Sequence, residues 1–204
     1  RNLQVIAQEH RESLVSIKNI DNVRPTAAHD EVIPWRRTLL GIADALDEQR
    51  LSALRALNAG DARPAQEWLR RGPLHPEQVP PSHLDTLKEA LDRSLMVAGM
   101  VRNEGEPGGG PFWLKDDQGQ LRAQIVESSE MDGADPIVRE CLSGSTHFNP
   151  VDVVCAMHDE QGSAYDLSAF VDQSRDFQVE KSHEGRPLRA CEHPGLWNGA
   201  MGRW

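Results

Sequence analysis

Leu95-Met96-Val97-Ala98-Gly99-Met100-Val101 is an uninterrupted apolar run that reads as a buried strand. Two further runs share that reading, Leu14-Val15-Ser16-Ile17 and Val151 to Met157. Each adjoins a stretch of loop-type polar and glycine residues that a core does not need. These stretches are Lys18-Asn19-Ile20-Asp21-Asn22, Asn103-Glu104-Gly105-Glu106-Pro107-Gly108-Gly109-Gly110, and Ser145-Thr146-His147-Phe148-Asn149-Pro150-Val151-Asp152. Proteins of the α/β class place their chemistry at the carboxyl ends of strands, so these stretches mark the candidate site.

Helices separate the first two runs. From Asp30 to Asn58 apolar residues recur at three and four (Trp35, Leu39, Leu40, Ile42, Leu46, Leu51, Leu54, Leu57), which predicts a helix. Pro34 belongs in its first turn or at a kink, and Gly60 is placed to cap its end. Pro64 to Arg71 predicts a second helix. Ser82 is expected to cap a third that runs to Asp92, with Asp85 at the capping-box position. Leu3 to Glu9 reads as the end of a helix. Beyond the second run, Phe112-Trp113-Leu114 and Leu121 to Val126 predict a hairpin around Asp116-Asp117-Gln118-Gly119. Asp135 to Leu142 reads as a short helix, and Leu167 to Val171 as a short helix or strand. The remainder to Trp204 reads as mostly irregular, with Trp197 and Trp204 covering an edge of the core. Strands mixed with helices predict an α/β fold.

The 204 residues carry a formal net charge of −10, and the pI is near 5.2. That balance excludes sequence-independent nucleic-acid binding, which needs a basic footprint. The apolar runs are too short to span a bilayer, and the mean hydropathy of −0.56 predicts a soluble chain. Cys141, Cys155 and Cys191 give an odd count without a disulfide framework, which fits a reducing cytoplasm. Cys155, inside an apolar run, reads as a small buried hydrophobe. Cys191 and His193 offer a Cys-x-His pair to a metal, but that pattern alone is weak and an ordinary surface pair is the simpler reading. The chain opens Arg1-Asn2-Leu3-Gln4, with neither a signal-peptide pattern nor an initiator Met. It is expected to lack an N-terminal part of the same protein.

Several residues have chemistry suited to a site. Asp21, flanked by Asn19 and Asn22, follows a strand and offers hard oxygen to Mg²⁺ or to a ribose; an Asx turn is the alternative. Lys18 ends the same strand. Glycines in the Glu104–Gly110 stretch permit close approach of backbone N–H groups to a ligand. The spacing matches neither standard phosphate-binding motif. Glu104 and Glu106 suit a sugar better, because its hydroxyls donate to carboxylates; a surface loop explains the stretch equally well. Glu127, with Ser128, Ser129 and Glu130, ends a strand and offers further acceptors, or is a solvated strand end. His147 with Asp152 suggests a base in a metal-dependent hydrolase, but no nucleophile motif accompanies them, and a hydrogen-bonded structural histidine is the simpler reading.

The strings Ser16 to Val23, Gly99 to Trp113, Gln124 to Ser129, Ser145 to Cys155 and Pro194 to Met201 resemble a bacterial family of unknown function, the domain-of-unknown-function family numbered 4301. The order of motifs is also similar to the later part of UDP-sugar pyrophosphorylases. Asn19-Ile20-Asp21-Asn22, Val126-Glu127-Ser128-Ser129-Glu130 and His147-Phe148-Asn149 stand in the places of that group's motifs. The resemblance implies a Rossmann-like mixed sheet of nucleotide-diphospho-sugar transferase type, with a helical insert. It implies that Asp21 touches Mg²⁺ or the nucleotide sugar, that Glu127 binds sugar hydroxyls, and that His147 or Asn149 lines the sugar pocket. Those enzymes carry an N-terminal glycine-rich loop with a basic residue, which this sequence lacks. Residues 1–204 are therefore expected to be the C-terminal part of one α/β domain, incomplete at the N-terminus. Residues 30–92 would be the helical insert and 95–204 the strand-rich sugar-site portion.

The expected reaction is attack of a sugar 1-phosphate on a nucleoside triphosphate, with release of pyrophosphate. Asp21 and Lys18 are the catalytic candidates, and Asp21 with Mg²⁺ is the metal site. The substrate-binding candidates are Asn19, Asn22, Glu104, Glu106, Gly108, Gly109, Gly110, Glu127, His147 and Asn149. The expected partners are a small-molecule nucleotide sugar or sugar phosphate, with no nucleic acid and no membrane. The alternative is a non-catalytic carbohydrate- or nucleotide-binding domain on the same scaffold.

Overall fold

The apolar runs become neighbours in one four-stranded sheet. The computed structural model describes residues 2–9, 14–18, 23, 25, 29–78, 80–105, 108–116, 119–171, 175–193 and 201–203. Strand β1 (Leu14–Lys18) and strand β2 (Leu95–Arg102) both pair antiparallel with β5 (His147–Ala156), one on each side, and β8 (Met201–Arg203) adds parallel to β2. The class is mixed α/β with a mixed sheet.

Alternation along these strands sorts side chains onto two faces. Leu14, Leu95, Val97, Val154 and Ala156 face helices α2 (His29–Asn58), α3 (Arg63–Arg71) and α4 (Leu84–Leu91), meeting Leu54, Leu57, Trp68, Leu69, Leu87 and Leu91. Val15, Met96, Ala98, Val153, Cys155 and Met157 face the other way. They meet Ala7 of α1 (Asn2–Glu9), Ala123 and Ile125 of β4 (Leu121–Glu127), and Leu167. A sheet covered on both faces needs apolar residues at every position, which is why the runs show no polar alternation. Burial pushes the Cys155 thiol up to about 12, as suits an inert core cysteine.

The end of α2 follows from Gly60. It adopts φ +91, so its N–H reaches the Leu57 carbonyl while the Asp61 N–H reaches Ala56, and the orphan carbonyls are satisfied. Pro34 sits inside α2 rather than in its first turn. Its carbonyl still accepts from the Thr38 hydroxyl at 3.0 Å. Further along α2, Arg50 is fully buried, and its charge is met on every side. It donates to Asp47 Oδ1 at 2.8 Å, the Leu91 carbonyl at 2.7 Å, the Tyr165 hydroxyl at 3.1 Å and the His158 carbonyl at 3.3 Å. One guanidinium thereby ties α2 to the end of α4 and to the segment after β5.

Three expectations need correction. Helix α4 starts at Leu84 with His83 as its N-cap and no side-chain cap, so Ser82 does not perform that role. The glycine stretch is partly strand: β3 (Gly109–Lys115) pairs with β4, so Gly109 and Gly110 are ladder residues, not loop. The described residues of the C-terminal region are not mostly irregular. They form the hairpin β6 (Phe177–His183) and β7 (Arg186–Glu192), turned by Glu184 and Gly185 at φ +50 and +77, the two positive values of a type I′ turn. Trp197 and Trp204 lie outside the described residues.

Candidate functional site

Because β1 and β2 both run opposite to β5, they run in the same direction, and their carboxyl ends share one margin of the sheet. Lys18 ends β1 and Arg102 ends β2. Asp152 of β5 stands between them in register, opposite Lys18 on one side and Gly99 on the other. Lys18 Nζ donates to Asp152 Oδ2 at 2.9 Å, and Arg36 Nε of α2 donates to Oδ1 at 2.9 Å. Asp152 is buried, at 8 % exposure. Burial of a carboxylate requires such partners. Two cations against one anion leave the trio with a net charge of +1.

Gly99 lets α2 descend onto this trio. A Cβ there would lie 3.3 Å from the Asp152 carbonyl and 3.4 Å from Leu39 Cδ2. On the outward side β5 bulges twice, pairing Asp152, Pro150, Phe148 and His147 with Gly99, Met100, Val101 and Arg102 in turn. Val151 and Asn149 are the extra residues. Asn149 takes φ +52, a conformation its short polar side chain tolerates, and Pro150 fits the broken ladder because it has no N–H to donate. Bulges re-aim side chains next to sites; here Phe148 and Val151 turn into a cavity.

That cavity, of about 960 Å³, opens over the shared carboxyl ends. Its polar lining includes Lys18, Glu31, Arg102, Glu104 and Asp152, and its apolar wall Trp35, Leu39, Ile42, Met100, Val101 and Phe148. Helix α2 changes role along its length. Its later residues Leu46, Leu54 and Leu57 enter the core, whereas Trp35 is 76 % exposed and stands at the cavity. The periodicity that predicted the helix does not distinguish these two uses.

The structure brings some of the predicted residues together. Lys18 and Glu104 line the cavity. Gly108 packs beside Phe148, 3.4 Å from where its Cβ would be. Gly109 and Glu127 face each other across β3 and β4. Glu127 caps the 3-10 helix Ser128–Glu130, and the Glu130 carboxylate in turn accepts from the Glu127 N–H and from Arg175 at 2.8 Å. Burial, then the charges of Glu130 and Glu192, hold the Glu127 carboxyl above the usual glutamate range. Glu127 and Gly110 are not on the cavity wall. His147 is exposed, with Nδ1 2.9 Å from Thr146 Oγ1. Asp152 accepts from Lys18 and Arg36, and no His147–Asp152 hydrogen bond forms. Asn19, Asp21, Asn22 and Glu106 lie outside the described residues.

Sequence reasoning missed Arg102, Glu31, Trp35 and Phe148 as cavity groups, and Arg36 as a partner of Asp152. Trp35 and Arg36 sit in a helix whose pattern reads as packing, and only the position of α2 over the sheet margin gives them this setting.

With the sheet margin and its cavity in place, the sequence profile described as Domain of unknown function (DUF4301) matches residues 2–204, and the chain belongs to that family. No curated protein and no solved structure matches it. No described helix is long and apolar enough to cross a membrane.

Proposed function

We propose that this protein binds a sugar phosphate or nucleotide sugar in the cavity over the carboxyl ends of β1 and β2. In this reading it transfers a nucleotidyl group to a sugar 1-phosphate. The observation that carries the proposal is the Lys18–Asp152–Arg36 trio, which fixes two cations at the margin of a partly apolar cavity. Fixed cations in a partly desolvated site attract a phosphate more strongly than they would in water. Trp35 offers an aromatic face to a base or sugar ring, and Glu31 and Glu104 offer oxygens at the cavity to sugar hydroxyls.

In the proposed reaction a phosphate oxygen of the sugar 1-phosphate bonds to the α-phosphorus of a nucleoside triphosphate. The bond from that phosphorus to the bridging oxygen breaks, and pyrophosphate leaves with the electron pair. Lys18, with Arg102 at the end of β2, would hold the phosphates in line and offset their charge. Mg²⁺ enters the proposal only through Asp21 and the substrate phosphates. Asp152 does not fit as its ligand, because both oxygens already accept from cations, so no step is routed through the ion.

The test is pyrophosphate release with Mg²⁺ across a panel of nucleoside triphosphates and sugar 1-phosphates, alongside calorimetric titration with nucleotide sugars. Release that requires one particular pair supports the transferase, and Lys18→Met should then lower kcat/KM by about 100-fold. Binding without release leaves the non-catalytic domain. Neither binding nor release, from folded protein, overturns the proposal.

A further inference from the structure

A second cluster lies at the open end of the β6–β7 hairpin, apart from the cavity. The ladder pairs Phe177 with Glu192 and Gln178 with Cys191. Asp176 immediately precedes β6 and His193 immediately follows β7, so the ladder sets them opposite each other. Cys191 and His193 are two residues apart, which puts both side chains on one side of the strand. A carboxylate oxygen of Asp176, the Cys191 sulfur and a ring nitrogen of His193 all lie within 4.8 Å of one another. His193 Nδ1 is already 2.8 Å from Asp176 Oδ1. Cys191 is a free, exposed thiol.

We propose that Asp176, Cys191 and His193 form a zinc site. An oxygen, a thiolate sulfur and an imidazole nitrogen are the donors Zn²⁺ takes, whereas Mg²⁺ and Ca²⁺ take oxygen. Tetrahedral zinc needs its ligand atoms on the order of 3.5 Å apart. From within 4.8 Å, side-chain rotation would bring the three atoms to that spacing. Water fills the fourth position. On binding, the Cys191 thiol loses its proton to solvent and the metal replaces that proton on sulfur. The metal then joins the start of β6 to the end of β7.

The test uses the full chain, stripped of metal and titrated with Co²⁺ alone and then with Zn²⁺. One equivalent of Co²⁺ should give the near-ultraviolet thiolate-to-cobalt charge-transfer band with tetrahedral visible absorption, and Zn²⁺ should bleach both. Cys191→Ser should abolish the charge-transfer band, and Cys141→Ser should keep it. Asp176→Asn and His193→Ala should each weaken Zn²⁺ binding by about tenfold or more. Circular dichroism checks that each variant stays folded. Absence of the band, its persistence in Cys191→Ser, or unchanged Zn²⁺ affinity in both Asp176→Asn and His193→Ala overturns the proposal. These readouts are independent of nucleotide binding in the cavity.

Discussion

The Glu127 carboxylate lies directly over Gly109, so a Cβ on Gly109 would fall 2.6 Å from Glu127 Oε1. The glycine therefore makes room for a capping carboxylate. Gly109→Ala should push that carboxylate off the 3-10 helix Ser128–Glu130 and cost about 1 kcal/mol. In a Glu127→Ala background the same substitution should cost close to nothing. Urea unfolding of the double-mutant cycle measures the difference. Equal costs in the two backgrounds would mean that the strand, not the carboxylate, requires glycine.

Glu127 also predicts a pH dependence. Its folded-state pKa is raised, by burial first and then by Glu130 and Glu192. Ionised Glu127 therefore opposes folding above the ordinary glutamate range, and the opposition fades as pH falls through the folded value toward the unfolded one. Glutamine keeps the acceptor oxygen without the charge. Glu127→Gln should raise the urea midpoint at about pH 7.5, and the gap should close near pH ~4. A gap of the same size at both pH values would show that ionisation is not its source.

Removing the centre of the Lys18–Asp152–Arg36 trio should hurt more than removing its exposed arm. Asp152→Asn leaves two cations facing a neutral amide under α2 and should cost about 3 kcal/mol. Arg36→Met leaves Lys18 on the carboxylate and, with its side chain 38 % exposed, should cost under about 1 kcal/mol. Denaturant midpoints decide the order, and a reversed order would contradict this account of the buried carboxylate.

Trp35 separates stability from binding. At 76 % exposure its truncation should change unfolding free energy by no more than about 0.5 kcal/mol. If it stacks on the ligand, Trp35→Ala should weaken nucleotide-sugar binding by about tenfold. Unfolding and calorimetric titration on the same preparation read both. A large stability loss would place Trp35 in the core, where the helical periodicity first suggested it belonged.

Strands β2 and β5 were legible because their inner stretches are buried on both faces and so lack polar interruption. Val153-Val154-Cys155-Ala156-Met157 and Leu95–Val101 could be read directly for that reason. The β6–β7 hairpin was not, since its strands are largely exposed and carry charge at Glu180, Lys181, Arg186 and Arg189. Its turn also uses Glu184-Gly185 where Asn-Gly or Asp-Gly would have been the recognisable pair. Lys18 and Glu104 were found at the site because strand ends are visible in sequence. Arg36 and Trp35 were not, because which part of a long helix crosses a sheet margin is a tertiary fact. Arg50 escaped notice because an arginine in a helical pattern reads as solvated until its partners are in place.

The central position of β5 has a consequence for the order of events during synthesis. Both β1 and β2 depend on it for pairing, yet it lies C-terminal to both of them and to the whole helical excursion between them. While the ribosome is still adding residues 103 to 146, β1 has no ladder partner and β2 lacks its main one. The helices can gather locally, but the sheet waits for sequence-distant contacts, which form slowly. A nascent chain halted before His147 would present bare strand edges to its neighbours. The piece that closes the candidate site also ends the period in which the chain is most exposed to aggregation.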